Sequence, residues 1–490
     1  MRTAARVNAR RAIGAGLTIV LGLVGAGTAT NGCRSGAPPR PNLVLVNVDT
    51  LRADHLGCYG YGRDTSPFID RLAREGVRVA DARTNSSFTR EAVAALFTGK
   101  LPSTSGAIGW AAKPAPGDET LAQILERAGY ATGFFSATTV LTDPGFARGF
   151  GVVRHLTEAW GASGLGPKLS EEALGFVARA PDRPFFLYLH YLDPHGPYAP
   201  SPARYRKFAA TPVADPLNIY SDVRPRLNEL RAAGFGPGDP RFEDQVARYD
   251  AEIADTDDAI AALFAGLQRL GVLDRTLVVL TSDHGEEFLD HGFVEHAWTL
   301  YDEVLRVPLV LWPASAWPAS AAERRAATVD LLPTILDALG IRDRPPGLDG
   351  ASLAAASAAR PFVAELLIAE RNTLRALIDG RWKYVAAQRW LDPAARPAAA
   401  RAENELRGSG APPLDPCGAI VHEELYDLGA DPRERQDRVR DAADVAVRLR
   451  AALAPSLAAC RRSVRGVDRP TGAGLDEEDR RKLRALGYVE

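Results

Sequence analysis

From Asn42 to about Ile341, short apolar runs alternate with segments whose apolar residues recur at helical spacing. Leu43–Val48, Phe185–His190 (FFLYLH) and Thr276–Leu280 (TLVVL) are continuous runs too short for helices, and their β-branched and aromatic content predicts strands buried on both faces. Helices are predicted at Ser66–Glu75, Glu119–Ala128 and Ser170–Ala180. A longer one is predicted from Asp244 to Leu270, where Ile253, Ile260, Leu263 and Leu267 share a face and Gly271 supplies the stop. Strands alternating with helices in this way predict an α/β fold, one large and mostly parallel sheet sandwiched by helices.

After Ile341 the pattern breaks into segments punctuated by Pro and Gly. Leu374–Asp379 and Trp382–Val385 flank Asp379-Gly380 and read as a β-hairpin, so a smaller C-terminal antiparallel-sheet subdomain is expected. The predicted organisation is a large domain over 42–345, the subdomain over 346–440 and a helical tail over 441–490. Residues from about Ala209 to Pro240 are polar, rich in Pro and Gly, and too long for an ordinary connection. They read either as a lid or collar over a site or as a disordered insertion.

Upstream, Arg2, Arg6, Arg10 and Arg11 precede a mostly apolar segment, Ala12–Gly27, and then small and polar residues up to Cys33. That is the layout of a secretory signal over residues 1–33. The apolar run is shorter than the roughly 20 residues of a membrane span. Export to the periplasm, cell surface or medium is therefore expected, with Gly32-Cys33 as the lipidation point if the signal is of the lipoprotein kind. Residues 34–41, which include Pro38, Pro39 and Pro41, read as a tether. Membrane contact is expected only through such a signal or lipid anchor. Composition adds one exclusion: 59 basic against 61 acidic residues, a formal net charge of -2, provide no basic field for nucleic acid. Besides Cys33 there are Cys58, Cys417 and Cys460, too scattered for a zinc-thiolate cluster; in an oxidising compartment Cys417 and Cys460 either pair or stay free.

The three buried runs carry chemistry at their carboxyl ends, where open α/β sheets bind ligands. Leu43–Val48 stops on Asp49, Phe185–His190 runs into Asp193 and His195, and Thr276–Leu280 runs into Asp283 and His284. Of only eight histidines, His190, His195, His284, His291 and His296 fall in two short windows beside Asp193, Asp283 and Glu295. That clustering favours a metal or acid–base site over scattered core histidines. Adjacent Asp283 and His284 can both turn toward one ion in the loop beyond their strand, and carboxylate oxygen with imidazole nitrogen suits a divalent cation. Thr89 precedes a helical segment, REAVAALFTG, with Gly99 as its stop. Its hydroxyl reads either as a helix cap or as a nucleophile aimed at an anion held by the helix N-terminus.

VNVDTLRADHLGCYGYGRDTSPFIDRLAREGV, ALFTG, FFLYLHYLDPHGPYAP, TLVVLTSDHGEEFLDHG, EHAWTLYDEVLRVPLVL, VDLLPTILDALGI and ELYDLGADPRERQDR follow in this order over nearly all of the chain after the signal. Together they resemble the sulfatase family of the alkaline phosphatase superfamily. The resemblance implies an alkaline phosphatase-like α/β sandwich and a metal-dependent ester hydrolase. It places one divalent ion, Ca, Mn, Mg or Zn, on Asp49, Thr89, Asp283 and His284, and puts His195 and His296 on the transferred group or leaving oxygen; His296 is the candidate general acid in the mechanism expected here. The implied substrate is a small-molecule, glycan or lipid ester.

The sequence departs from the family at its nucleophile. Sulfatases use a Cys or Ser in a Cys/Ser-x-Pro-x-Arg signature that is oxidised to formylglycine; counting back from Leu96-Phe97-Thr98-Gly99, that position is Thr89, with Glu91 for the proline and Val93 for the arginine. Threonine cannot become formylglycine. Thr89 is similar instead to the metal-bound threonine of phosphodiesterases and phosphoethanolamine or phosphoglycerol transferases of the superfamily. Thr50 stands where many sulfatases have another acidic ligand. Three readings result: a hydrolase or transferase acting on phosphate esters through Thr89, a sulfuric ester hydrolase without formylglycine, and a non-catalytic surface binder with a decayed site. The first is favoured, and the retained Asp49, Thr89, Asp283 and His284 speak against decay.

Overall fold

The computed structural model describes residues 40–156, 163–209, 213–214, 216–355, 360–368, 372–389 and 417–466. The predicted leader, Cys33, the tether up to Pro39 and the tail beyond Gly466 lie outside them. Seven strands form the main sheet: β1 (Asn42–Val48), β2 (Val77–Arg78), β3 (Ala131–Ser136), β4 (Val152–His155), β5 (Phe185–Tyr191), β6 (Thr276–Thr281) and β7 (Leu309–Trp312). Their order is β2-β7-β6-β1-β5-β3-β4, and every pairing is parallel except those of β7 with β6 and β2. The three runs singled out by hydrophobicity are thus the middle strand and its two neighbours.

Strand β1 is buried along its whole length because helices cover both faces of the sheet. Side chains alternate across the sheet, so Leu43 and Leu45 join one apolar cluster with Phe97 and Leu332, while Val44, Val46 and Val48 join a second with Ile260 and Leu263. The covering helices include α1 (Pro67–Glu75), α2 (Thr89–Thr98), α3 (Leu121–Arg127), α4 (Gly166–Ala178) and α5 (Pro240–Arg269). Helix α5 starts at Pro240 rather than Asp244, because Asp239 caps it by accepting the Arg241 N–H and Pro240 suits the first helical position. Helix α3 starts after Thr120, which forms a capping box with Gln123.

A second, four-stranded antiparallel sheet follows in chain order: β8 (Phe362–Leu367), β9 (Thr373–Asp379), β10 (Trp382–Arg389) and β11 (His422–Asp427). Gly380, at φ 60°, closes the β9–β10 hairpin. Helices α6 (Ala443–Ala452) and α7 (Ala454–Gly466) come last, and Cys460 of α7 is disulfide-bonded to Cys417. Among the described residues no helix is long and apolar enough to cross a membrane.

The described part of the 209–240 stretch is not disordered. It forms short helical turns, Ile219–Val223 and Leu227–Ala232, whose Val223 and Leu227 are buried in the cluster that α5 contributes to. Its polar surface positions hid an apolar underside.

Candidate active site

Register brings the strand ends level. Asn47 pairs with His190 on one side and Thr281 on the other, so Asp49, two residues on, meets Asp283 across the β1–β6 seam. The turn after Asp49 is pinned from several directions. Thr50 has φ 56°, a costly conformation for a β-branched residue. The Tyr249 hydroxyl holds it by donating to Thr50 O at 2.7 Å and accepting from Arg52 N–H at 2.9 Å. Ser282 ties the two loops together, accepting from Leu51 N–H at 3.0 Å and donating to His284 O at 2.6 Å.

Side-chain atoms of Asp49, Asp283 and His284 converge to within 4.8 Å of one another, and all three residues are buried. Asp49 Oδ1 and Asp283 Oδ2 have no hydrogen-bond partner. Two buried carboxylates with orphaned oxygens are unfavourable side by side, and two oxygens with one imidazole nitrogen fit a divalent cation. Burial, then the Asp49 charge, pushes the Asp283 carboxyl above its usual range. Burial would also raise Asp49, but the charge of His195, the hydrogen bond and charge of His190 and the charge of His284 together bring it below.

Thr89 stands over this cluster at the N-terminus of α2. Phe88 occupies the N-cap position, Thr89 is the first helical residue, and no side chain caps the helix. The Thr89 hydroxyl instead lies 3.1 Å from His284 Nε2. The backbone before it is anchored to the loop carrying His296: Ser87 donates its hydroxyl to Thr299 O at 2.7 Å and accepts the Ala297 N–H on its carbonyl at 3.0 Å.

Three imidazoles share one orientation. His284 Nδ1 donates to Gly285 O at 3.0 Å and His195 Nδ1 to Gly196 O at 2.6 Å, while His296 Nδ1 lies 2.9 Å from Glu286 Oε1. Each therefore keeps Nε2 for the site. Their rings are neighbours, His296 lying 4.3 Å from His284 and 5.0 Å from His195 between centroids. Tyr220, from the 219–223 turn, stacks on His195 at 6.2 Å, and Arg224 lies 3.7 Å from Glu295 beside His296. The stretch read as either collar or insertion thus borders His195 and His296.

The structure brings Asp49, Thr89, His195, Asp283, His284 and His296 together. It does not bring in His291, which pairs with Glu303 at 2.5 Å, or Asp193, which accepts the Gly164 N–H at 2.8 Å. His190 serves from behind, with Nε2 3.0 Å from Asp49 Oδ2. Glu286 and Tyr198 escape sequence reasoning. The signal available for Glu286 was the short hairpin that brings Glu286-Glu287 back against Glu295-His296.

Glu91, in the signature's proline position, is fully buried and accepts from Ser86 Oγ at 2.8 Å, from Gly109 N–H at 2.8 Å and more loosely from Leu367 N–H of β8. Burial pushes its carboxyl up to about 7. Val93, in the arginine position, packs in the apolar core. The segment that carries Thr89 is thus held by a carboxylate and hydrophobic packing.

A family model described as Sulfatase matches residues 41–341. The chain is 22% identical to an N-acetylglucosamine-6-O-sulfatase of Bacteroides thetaiotaomicron, covering 81% of this chain and 82% of that one. It is 25% identical to a multifunctional alkaline phosphatase superfamily protein of Trinickia caryophylli, covering 66% and 77%. Among solved structures, a phosphonate monoester hydrolase of Agrobacterium radiobacter superposes with a TM-score of 0.64 at 21% identity, covering 86% of this chain and 96% of that one, a likeness of fold. With the Sulfatase model matching more than half of its length, the chain belongs to the sulfatase family of ester hydrolases.

Proposed function

We propose that the protein hydrolyses, or transfers from, phosphate esters, with Thr89 as nucleophile and diesters preferred over monoesters. The observation that carries this is the Thr89 hydroxyl, 3.1 Å from His284 Nε2 and over the buried Asp49 and Asp283 carboxylates. Asp49, Asp283, His284 and the Thr89 oxygen would hold one divalent ion. Bound there, it would acidify the threonine hydroxyl, as metals lower the pKa of bound water from 15.7 to about 7, and offset charge on the ester's non-bridging oxygens.

The residues supply the rest. The Thr89 oxygen, its proton lost to solvent, bonds to phosphorus as the bond to the leaving oxygen breaks, with the amides of α2 facing the anion. His296 gives its Nε2 proton to that oxygen, and His195 faces the non-bridging oxygens through its own Nε2. Water or an acceptor alcohol then cleaves the threonine ester while His296 takes a proton back. A formylglycine hydrate expels sulfate by collapsing to an aldehyde, whereas a threonine ester has no such exit and needs a second attack at the central atom. That requirement favours phosphorus over sulfur. Diesters come first because a monoester dianion needs more positive charge than one cation and two imidazoles offer.

The leader's layout places the mature protein outside the cytoplasm, where the Cys417–Cys460 disulfide would persist. Relatives named as sulfatases keep a sulfate ester as the second reading. Comparing kcat/KM on matched aryl phosphodiester, phosphomonoester and sulfate substrates decides between them. The diester should be fastest; faster sulfate turnover that still depends on Thr89 would overturn the phosphoester assignment.

A further inference from the structure

Glu286 lies on the far side of His296 from the reacting centre. The ribbon Glu287–Phe288 pairs antiparallel with Val294–Glu295, Glu287 opposite Glu295, so the residues just outside it, Glu286 and His296, face each other. Glu286 Oε1 lies 2.9 Å from His296 Nδ1, and Oε2 accepts the Tyr198 hydroxyl at 3.2 Å. Tyr198 belongs to the same turn as His195, and Arg52 Nη1 fixes the Glu286 carbonyl at 3.0 Å. Glu286 is wholly buried, so its carboxyl cannot exchange these partners for water.

We propose that Glu286 is the positioning residue for His296, with Tyr198 as its anchor, and that the pair enables the enzyme to expel poor, alkoxide-like leaving groups. This rests on the general-acid reading of His296 above. The Nδ1 contact fixes the ring so that Nε2 faces the leaving oxygen. As the bond from phosphorus to the leaving oxygen breaks, the Nε2 proton moves to that oxygen, the ring becomes neutral, and the Nδ1 proton stays shared with Glu286. An alkyl alcohol needs that proton, whereas a nitrophenolate leaves without it. The substrate class favoured is therefore an alkyl phosphodiester.

The test is a series of phosphodiesters graded in leaving-group pKa, run on wild type, Glu286→Gln, Tyr198→Phe and His296→Ala, with metal content measured for each. Glu286→Gln should lose on the order of 100-fold in kcat/KM for alkyl leaving groups and only a few-fold for nitrophenyl, within the usual range for general acid catalysis. Tyr198→Phe, the milder change, should lose a few-fold with the same bias. Metal content should match wild type. If His296→Ala is biased against alkyl leaving groups while both other variants lose activity uniformly or not at all, the Glu286 assignment falls and the mechanism stands. If His296→Ala itself loses activity uniformly, the general-acid reading falls and this inference with it.

Discussion

His190 holds Asp49 through Oδ2, its Nε2 3.0 Å away, while Nδ1 accepts from the Tyr188 hydroxyl at 2.9 Å and Asn47 Nδ2 at 3.2 Å. Two donors at Nδ1 put the proton on Nε2, the reverse of His195 and His284. One Asp49 oxygen is thereby occupied and Oδ1 is presented to the cluster. Partners of this kind set ligand orientation, so His190→Ala should weaken divalent-ion affinity about 10- to 100-fold. A metal titration after chelator stripping measures it; unchanged affinity would mean that Asp49 needs no such support.

Thr89→Ala and Asp283→Ala should both abolish turnover, for different reasons. The first removes the proposed attacking oxygen and leaves Asp49, Asp283 and His284 in place; the second removes a buried oxygen with no hydrogen-bond partner. Metal analysis should find the ion retained in the first and lost in the second. Full activity in Thr89→Ala with a normal metal complement would move the nucleophile to a water molecule.

The Cys417–Cys460 disulfide closes a loop with a sequence separation of 43 and fastens α7, whose Ser463 hydroxyl donates to Ser103 O at 2.7 Å just beyond α2. Closing a loop of that length is worth roughly 4 kcal/mol of chain entropy. Cys417→Ser and reduced wild type should therefore unfold at the same, lower urea concentration. If only the variant were weakened, the cause would be lost packing of the sulfur rather than the cross-link.

Much of the site was legible because its three carrying strands are uninterrupted apolar runs, and an acidic or histidine residue ending such a run has few other places to go. Thr89 was ambiguous in sequence because a threonine before a helix is an ordinary cap; only the position of His284, 195 residues away, separates the two uses. Glu91 could be seen only as a missing proline. Its partners Gly109 and Leu367 are brought to it by tertiary packing and have no local signature. His291 went astray for the opposite reason: proximity in sequence to His284 and His296 suggested a shared site, but the hairpin between them turns it outward to Glu303.

That outward turn gives His291 a pH dependence of its own. Nδ1 lies 2.5 Å from Glu303 Oε1 and Nε2 2.9 Å from Glu434 O, so both nitrogens face acceptors and the ring must carry both protons. Tyr301 stacks on it at 3.7 Å, and the Glu287 and Glu434 carboxyls also interact with its charge. Burial would lower the imidazole pKa, but the hydrogen bond and charge of Glu303, with the Glu434 contacts, push it up to about 9 from 6.5. A raised folded-state pKa stabilises the fold fully below the unfolded value, and this contribution is lost as pH rises from 6.5 through about 9. The difference in urea-unfolding free energy between wild type and His291→Gln should be on the order of 2 kcal/mol near pH 6 and shrink steadily above neutrality. A difference that stays constant across that range would mean that the ring is neutral in the fold.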